Sequence, residues 1–201
     1  MEIEEVIKKS FEESIRVKEQ FFKENIYLIK EVAELIAKTL NQGGKILIFG
    51  NGGSATDASH IAAEFVNRFK RERPGLPAIA LNTDMAVLTA IANDYDYSEV
   101  FAKQIKALGQ KGDIAIGIST SGSSRNVIKA VEVAKKRGLK TVAFTSKKGE
   151  KLISKVDYAF AVSSEETPRI QETHITLGHI LCELVEEILF AIPAINKKTK
   201  Q

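Results

Sequence analysis

The chain has 201 residues, of which 44% are hydrophobic and 27% are charged. These values are typical of a globular protein and exclude the disordered and fibrous classes. The net charge of +3 is too small to indicate a nucleic-acid partner. A single cysteine, Cys182, excludes an intrachain disulfide and a cysteine-based zinc cluster. No apolar run is long enough to cross a membrane, and the acidic N-terminus is unlike a signal peptide, so we expect a cytoplasmic protein without a membrane partner.

The first predicted element is a long helix. No Gly or Pro interrupts residues 3–40, where apolar residues recur at helical spacing. The pattern predicts one very long helix or two helices joined near Asn25. Two possibilities stay open for its apolar stripe, namely contact with another subunit and packing within the monomer.

Five short apolar runs follow, each typical of a strand that is covered on both faces. They are residues 45–50, 77–81, 113–119, 140–145 and 157–162. Helices are predicted at about 56–70, 84–92, 97–108 and 124–137, and a last helix from about Pro168 to Phe190 with Thr167 as its N-cap. This alternation predicts an α/β fold with a doubly wound, five-stranded parallel sheet of the flavodoxin-like type.

No linker or repeat divides the sequence, so one domain is expected. Within it, residues 1–42 form the N-terminal helical segment and residues 43–192 the α/β core. Residues 193–201, which are rich in Lys, are expected to form a flexible tail.

Two loops at strand ends carry candidate ligand-binding residues. In an open parallel sheet, ligands bind beyond the carboxyl ends of the strands. The glycine loop, residues 50–55, follows the first strand and opens a helix, so its backbone N–H groups can approach an anion. The serine loop, residues 119–124, follows the third strand and also opens a helix. Together the loops predict a phosphate ester or polyhydroxylated ligand, although the serine loop alone is also compatible with a solvated turn.

Nucleotide-binding and hydrolase motifs fit the sequence less well. Gly50-x-Gly-x-x-Ala55 matches a relaxed dinucleotide fingerprint, but Asp84 lies well beyond the usual distance of about 20 residues. No P-loop motif occurs, and Gly117-Ile-Ser-Thr-Ser lacks the second glycine of a hydrolase elbow.

The three histidines all fall in predicted helices. His60 and Glu64 lie one turn apart, on a helix face that begins at the glycine loop. We therefore expect this face to line the ligand cleft, with a solvated, salt-bridged face as the alternative. His179 lies among apolar residues and is either a core residue or part of the site, whereas His174 is interpreted as structural.

Six motifs in this order resemble the phosphoheptose isomerases, which consist of one sugar-isomerase (SIS) domain. They are Gly50-Asn-Gly-Gly-Ser-Ala, Asp57-x-x-His-x-x-x-Glu, Arg73-Pro-Gly-x-Pro-Ala-Ile-Ala, Asn93-Asp, Ile118-Ser-Thr-Ser-Gly-x-Ser and Arg169-Ile-Gln-Glu-x-His. The resemblance implies conversion of sedoheptulose 7-phosphate to D-glycero-D-manno-heptose 7-phosphate, towards the heptose of bacterial lipopolysaccharide. It also implies a homotetramer with active sites between subunits, and one zinc ion per subunit.

The resemblance also implies roles for individual residues. Glu64 and His179 would be the acid/base pair. The substrate would contact Asn51, Gly52, Gly53, Ser54, Glu64, Asn93, Asp94, Ser119, Thr120, Ser121, Ser124 and Gln171. The metal ligands would be His60, Glu64, Gln171 and His179. One departure is Pro168, where related enzymes often carry Asp; if that acid positions the substrate, its loss would weaken catalysis or change the preferred sugar.

A second group of SIS-domain proteins, which associate with the bacterial replication initiator, is similar in Asn67-Arg-Phe and in residues 81–94. Those proteins bind a protein partner and lack the acid/base pair. Because Glu64 and His179 are both present, the sequence favours the enzyme. An SIS isomerase of another sugar phosphate is the third possibility.

The spacing of two implied ligands bears on subunit organisation. Gln171 and His179 lie eight residues apart on one predicted helix, so roughly 12 Å separates their backbones along its axis. Two ligands of one zinc must place their donor atoms within about 4 Å of each other. We therefore expect the two residues to come from different copies of the chain, and Glu64 and His179 to act from different chains.

Overall fold

The computed structural model describes residues 2–191 and contains a five-stranded sheet. Its strands are β1 (Ile46–Gly50), β2 (Ala78–Ala80), β3 (Ile114–Ile118), β4 (Lys140–Ser146) and β5 (Tyr158–Val162). All neighbouring strands are parallel, in the order β2-β1-β3-β4-β5. This is the flavodoxin-like doubly wound order. The predicted fold class is confirmed, and each strand lies within one of the five apolar runs or overlaps it.

Seven helices surround the sheet in residues 2–191. They are α1 (Ile3–Asn41), α2 (Gly53–Val66), α3 (Met85–Asp94), α4 (Val100–Leu108), α5 (Arg125–Lys136), α6 (Glu150–Ile153) and α7 (Thr167–Phe190). A 3₁₀ turn at Tyr97–Glu99 precedes α4, where the sequence predicted continuous helix. The single turn of α6 was not predicted.

The helices pack on both faces of the sheet because strand side chains alternate in direction. Ile46 and Ile48 of β1 belong to the core shared with α1, α2 and α7. Leu47 and Phe49 of the same strand belong to the core shared with α4 and α5. Burial of both faces explains why the strands form nearly continuous apolar runs.

Helix α1 is a single helix without a break at Asn25, whose Nδ2 donates to the Phe21 carbonyl oxygen within the helix at 2.8 Å. From Val17 onwards most of its apolar residues are buried, mainly against α7, although Ile26 and Tyr27 are exposed. The preceding turns instead expose Ile3, Ile7, Phe11 and Ile15. The monomer therefore covers only the later part of the stripe, and contact of the earlier part with another subunit stays a prediction.

Helix α2 ends at Val66 rather than continuing to residue 70. The segment after it turns around Glu186 of α7, whose carboxylate accepts the backbone N–H groups of Phe69, Lys70 and Arg71 at 2.8–3.0 Å. Local periodicity carries no signal for these bonds, since Glu186 lies more than 100 residues away in the chain.

Helix α7 starts with Thr167 itself, and its N-cap is Glu166, which makes no side-chain capping bond. The prediction of Thr167 as N-cap is therefore wrong by one residue, and Pro168 lies in the first turn, where its missing N–H costs nothing. No helix in residues 2–191 is long and apolar enough to span a membrane. The proposed tail, 193–201, lies outside the described residues, and the domain boundaries stay a prediction.

Candidate active site

The glycine loop joins β1 to α2 in a tight turn. Gly52 adopts a left-handed conformation with φ of 56°, which favours glycine. The backbone N–H of Ser54 donates to the Asn51 carbonyl at 3.1 Å, and Ser54 is buried. A Cβ at Gly53 would overlap the amide of Gln171, so the absence of a side chain lets Gln171 lie against the start of α2.

The serine loop begins beside the glycine loop, because Gly50 at the end of β1 pairs with Ile118 at the end of β3. The hydroxyls of Ser119 and Ser124 lie 3.0 Å apart. Thr120 and Ser121 line a cavity of about 360 Å³. The loop thus presents several hydroxyls at the N-terminus of α5, an arrangement suited to an anion.

His60, Glu64 and His179 form one cluster within a single chain. His60 Nε2 lies 3.2 Å from Glu64 Oε1 and 3.5 Å from His179 Nε2. The ring of Phe69 stacks on His179, with centroids 5.6 Å apart and 28° between the planes. His179 therefore lies beside the two candidate site residues His60 and Glu64 rather than wholly within the apolar core.

The environment favours the neutral form of His179. Its partial burial is the main cause that lowers its pKa below the usual value, and the charge of His60 acts in the same direction. Glu64 opposes this shift. A neutral imidazole has one acceptor nitrogen and one donor N–H, so it can both take up and release a proton at neutral pH.

Helices α2 and α7 run side by side, which determines where the implied ligands lie. Gln171 contacts Gly53, at the start of α2, whereas His179 contacts His60, two turns further along. Gln171 and His179 therefore contact α2 at positions about two turns apart, as their spacing in the sequence predicted. The expectation that Glu64 and His179 act from different chains is not supported, because α2 and α7 of one chain already bring them to the same histidine.

The chemistry of this cluster suits zinc, since two imidazoles and a carboxylate are common zinc ligands. Two ligands of a tetrahedral zinc lie about 3.3 Å apart, close to the spacings measured around His60 Nε2. However, residues 2–191 contain no group of three His, Cys, Asp or Glu side chains already placed to hold a metal ion. The side chains fit zinc in chemical type and in pairwise spacing. They are not arranged around one common metal position.

Asn93 and Asp94 lie at the exposed end of α3, where the Asn93 amide donates to the Asp94 carboxylate at 2.9 Å. No hydrogen bond among the described residues connects them to either loop. No residue of α3 is buried. A cavity of about 290 Å³ separates α3 from the glycine loop, and Asn51, Gly52 and Leu88 are among its lining residues.

Sequence reasoning missed two residues that shape the site, and it gave no role to a third, Asp57, which it named only as part of a motif. Asn126 and Tyr97 both hydrogen-bond to the side chain of Asn51. The carboxylate of Asp57, on α2, has a buried oxygen without a partner, and burial raises its pKa to about 6. The position of Asn126, two residues after the serine loop, was the only sequence signal available for these contacts.

Two further residues have structural roles. His174 is completely buried, its Nε2 lies 3.1 Å from the Thr145 carbonyl oxygen, and burial lowers its pKa to about 4. This agrees with its interpretation as structural. Cys182 is also buried, and burial raises the pKa of its thiol far above the usual value, so the thiol is unreactive at neutral pH.

The SIS domain family model matches residues 10–146. The chain is 87% identical to the phosphoheptose isomerase of Thermodesulfovibrio yellowstonii over the whole of both proteins. It is 54% identical to that of Aquifex aeolicus over 92% of this chain and 97% of the relative. Among solved structures, phosphoheptose isomerase from Francisella tularensis matches with a TM-score of 0.90 and 38% identity, over 93% of this chain and 100% of that one. The enzyme from Neisseria gonorrhoeae gives a TM-score of 0.87 and 42% identity, over 92% and 100%.

The resemblance that the motifs indicated is thus confirmed along the whole chain. The enzyme interpretation, rather than that of a replication-associated binding protein, agrees with these relatives. The chain belongs to the SIS-domain family and, within it, to the phosphoheptose isomerases.

Proposed function

We propose that this protein interconverts sedoheptulose 7-phosphate and D-glycero-D-manno-heptose 7-phosphate, for the synthesis of the heptose of lipopolysaccharide. The observation that carries the proposal is the cluster of His60, Glu64 and His179 on helices that adjoin the glycine loop. This arrangement places proton-transfer groups beside the glycine loop, which in turn adjoins the serine loop that suits a phosphate. An aldose–ketose isomerase requires both.

The reaction moves a proton from C1 of the open-chain ketose to C2 through an ene-diol. We assign Glu64 as the base that removes the C1 proton and returns it to C2. His179 transfers the hydroxyl proton between O1 and O2, for which its lowered pKa suits it. The two roles are exchangeable on geometry alone, since both groups lie beside His60.

The serine loop is proposed to hold the 7-phosphate. Ser119, Thr120, Ser121 and Ser124 supply hydroxyl donors, and the N-terminus of α5 adds partial positive charge. The glycine loop, with Asn51, Gly52, Gly53 and Ser54, then meets the sugar chain. Asn93, Asp94 and Gln171 are proposed as further contacts. Because the phosphate lies far from C1, it takes no part in the proton transfer. Its binding instead orients the substrate, so that C1 and C2 are held in place for the reaction.

Zinc is proposed as the metal, with His60, Glu64 and His179 as ligands in this chain. When bound, it would polarise the substrate carbonyl as a Lewis acid. Gln171 lies at another level of α7, so its proposed ligation requires a rearrangement or a second copy of the chain. Measuring the zinc content of purified wild-type and His60→Ala protein tests this set, and equal content would contradict it.

We propose a homotetramer with active sites at its subunit interfaces. Two features support it. The first turns of α1 expose Ile3, Ile7, Phe11 and Ile15, which recur every four residues and form an apolar stripe suited to another helix. Helix α3, which carries Asn93 and Asp94, has no fully buried residue in its own chain and packs on the core only through partly buried side chains such as Leu88. Light scattering coupled to gel filtration measures the assembly directly, and a monomer would contradict the proposal.

The proposed location is the cytoplasm, because a doubly charged phosphate ester is costly to move through hydrocarbon and must be used where it is made.

The activity itself is tested by incubating the purified protein, with and without added zinc, with sedoheptulose 7-phosphate and resolving the products. We expect an aldoheptose 7-phosphate. Its absence under both conditions would favour the protein-binding relatives, and turnover of a different sugar phosphate would favour another SIS isomerase.

A further inference from the structure

Asn51 of the glycine loop and Asn126 of α5 form a reciprocal pair of carboxamides. Asn51 Nδ2 donates to Asn126 Oδ1, and Asn126 Nδ2 donates to Asn51 Oδ1, both at 2.9 Å. Asn126 is 3% exposed, whereas Asn51 is half-buried at the edge of a cavity. The pair therefore joins an accessible loop residue to a buried one that lies 75 residues away in the chain.

The orientation of both amides is determined by the backbone. The N–H of Val127 donates to Asn126 Oδ1 at 2.9 Å, which requires an oxygen at this position rather than an NH₂ group. Once the Asn126 amide is oriented, its NH₂ group must face the oxygen of Asn51. The hydroxyl of Tyr97 donates to the same Asn51 oxygen at 3.2 Å.

This network determines what Asn51 can offer a ligand. Its Oδ1 already accepts two hydrogen bonds, from Asn126 and Tyr97. Its Nδ2 uses one of two N–H bonds on Asn126. A second N–H is left, so the group that Asn51 meets in the substrate must be an acceptor, such as a sugar hydroxyl or carbonyl oxygen.

The network also connects the two loops. Asn126 is the second residue of α5, whose N-cap Ser124 belongs to the serine loop. A change in the serine loop therefore shifts the residue that holds Asn51. Small displacements at a reacting centre are costly, and about 1 Å can lower the rate by about 100-fold.

We infer that Asn126, assisted by Tyr97, is a positioning residue that holds the Asn51 carboxamide with its N–H directed to an acceptor oxygen of the substrate. The inference rests on the proposed function for the identity of that substrate. It adds a role for two residues that act through Asn51.

The test compares Asn126→Asp with Asn25→Asp, a control that loses a side-chain hydrogen bond within α1, away from both loops. In Asn126→Asp the acceptor for Val127 and Asn51 is kept, and an acid in the first turn of α5 suits the helix dipole, but the donor to Asn51 Oδ1 is lost. We expect kcat/KM of the folded variant to fall about 10- to 100-fold, with no fall in the control. Wild-type kcat/KM in Asn126→Asp would overturn the inference.

A double-mutant cycle separates positioning from a general structural role. If Asn126 and Tyr97 act through Asn51, then Asn126→Asp and Tyr97→Phe should lower kcat/KM in the wild type and have no further effect in Asn51→Ala. Tyr97 is exposed, so Tyr97→Phe keeps the cycle available even if Asn126→Asp does not fold. Effects that multiply in the Asn51→Ala background would contradict the inference.

A measurement without substrate keeps this inference separate from the proposed function. Hydrogen exchange of the Asn51 side-chain amide, followed by NMR, should be about tenfold faster in Asn126→Ala, which removes the acceptor of the Asn51 N–H, than in the wild type. Equal exchange rates would overturn the pairing. A wild-type protein that shows slow exchange but does not turn over sedoheptulose 7-phosphate would contradict the proposed function and leave the positioning of Asn51 supported.

Discussion

Glu186 and Arg73 form a buried ion pair, with 2.9 Å between Oε1 and Nε and side-chain exposures of 2% and 1%. Arg73 also donates to the carbonyl oxygens of Glu64 and Phe65, near the end of α2. The pair therefore connects α2 to α7, next to the cluster of His60, Glu64 and His179. The same carboxylate accepts the N–H of Phe69, which stacks on His179.

Glu186→Gln should destabilise the protein strongly, because it leaves the Arg73 charge buried without a counter-charge. Loss of one partner of a buried pair typically costs about 3–5 kcal/mol. Glu183→Gln is the matched control on the same helix, since the Glu183 pair with Lys70 is largely exposed and such pairs contribute at most about 1 kcal/mol. Urea unfolding of both variants measures the difference, and equal losses would contradict this account.

His174 should make the protein less stable in mild acid. Its folded pKa of about 4 lies below the usual 6.5, so the unfolded state binds more protons between these values. Its stabilising contribution is complete above pH 6.5 and is lost as the pH falls towards 4, by up to about 3 kcal/mol.

Asp57 acts in the opposite direction, because its folded pKa is raised to about 6. Just below this pH, the folded form therefore retains a proton that the unfolded form has lost.

The contribution of His174 is isolated by comparing the unfolding free energy of wild-type and His174→Phe protein at pH 7 and pH 5. The difference between them should shift in favour of the variant at pH 5. The same difference at both pH values would contradict the assignment.

Gly53→Ala tests the contact between α2 and Gln171. The added methyl group would overlap the Gln171 amide and displace it, so we expect kcat/KM to fall about tenfold, while Tm stays level or rises because Ala favours helix. The control is the same change in a Gln171→Ala background, where the space is free. A further loss in that background would show that Gly53 is needed for another reason.

Mixed oligomers test whether Glu64 and His179 act from one chain. Because both lie beside His60 of the same chain, every site in a mixture of Glu64→Gln and His179→Ala subunits lacks one of the two groups. Refolding the two variants together should restore no activity. Clear recovery would show that the pair is completed by different chains.

The sequence was sufficient for the chain order of the five strands and of every helix except the single turn of α6, because apolar runs and their spacing report burial directly. It was also sufficient to place His60 and Glu64 on one face near the glycine loop. It could not show that α2 ends at Val66, since the turn after it depends on Glu186. Nor could it show the pairing of Asn51 with Asn126, because contacts across a sheet edge leave no periodic pattern in either segment.

The most direct test of the central claim is turnover of sedoheptulose 7-phosphate by wild-type and Glu64→Gln protein, with Glu72→Gln as a control because its side chain is 92% exposed. The amide keeps the size of Glu64 but cannot accept the C1 proton, so the rate should fall about 10²- to 10⁴-fold while the fold is kept. Wild-type and Glu72→Gln protein should both form aldoheptose 7-phosphate. Near wild-type turnover in folded Glu64→Gln would contradict the assignment of Glu64 as the base, and no product from the wild type would contradict the isomerase itself.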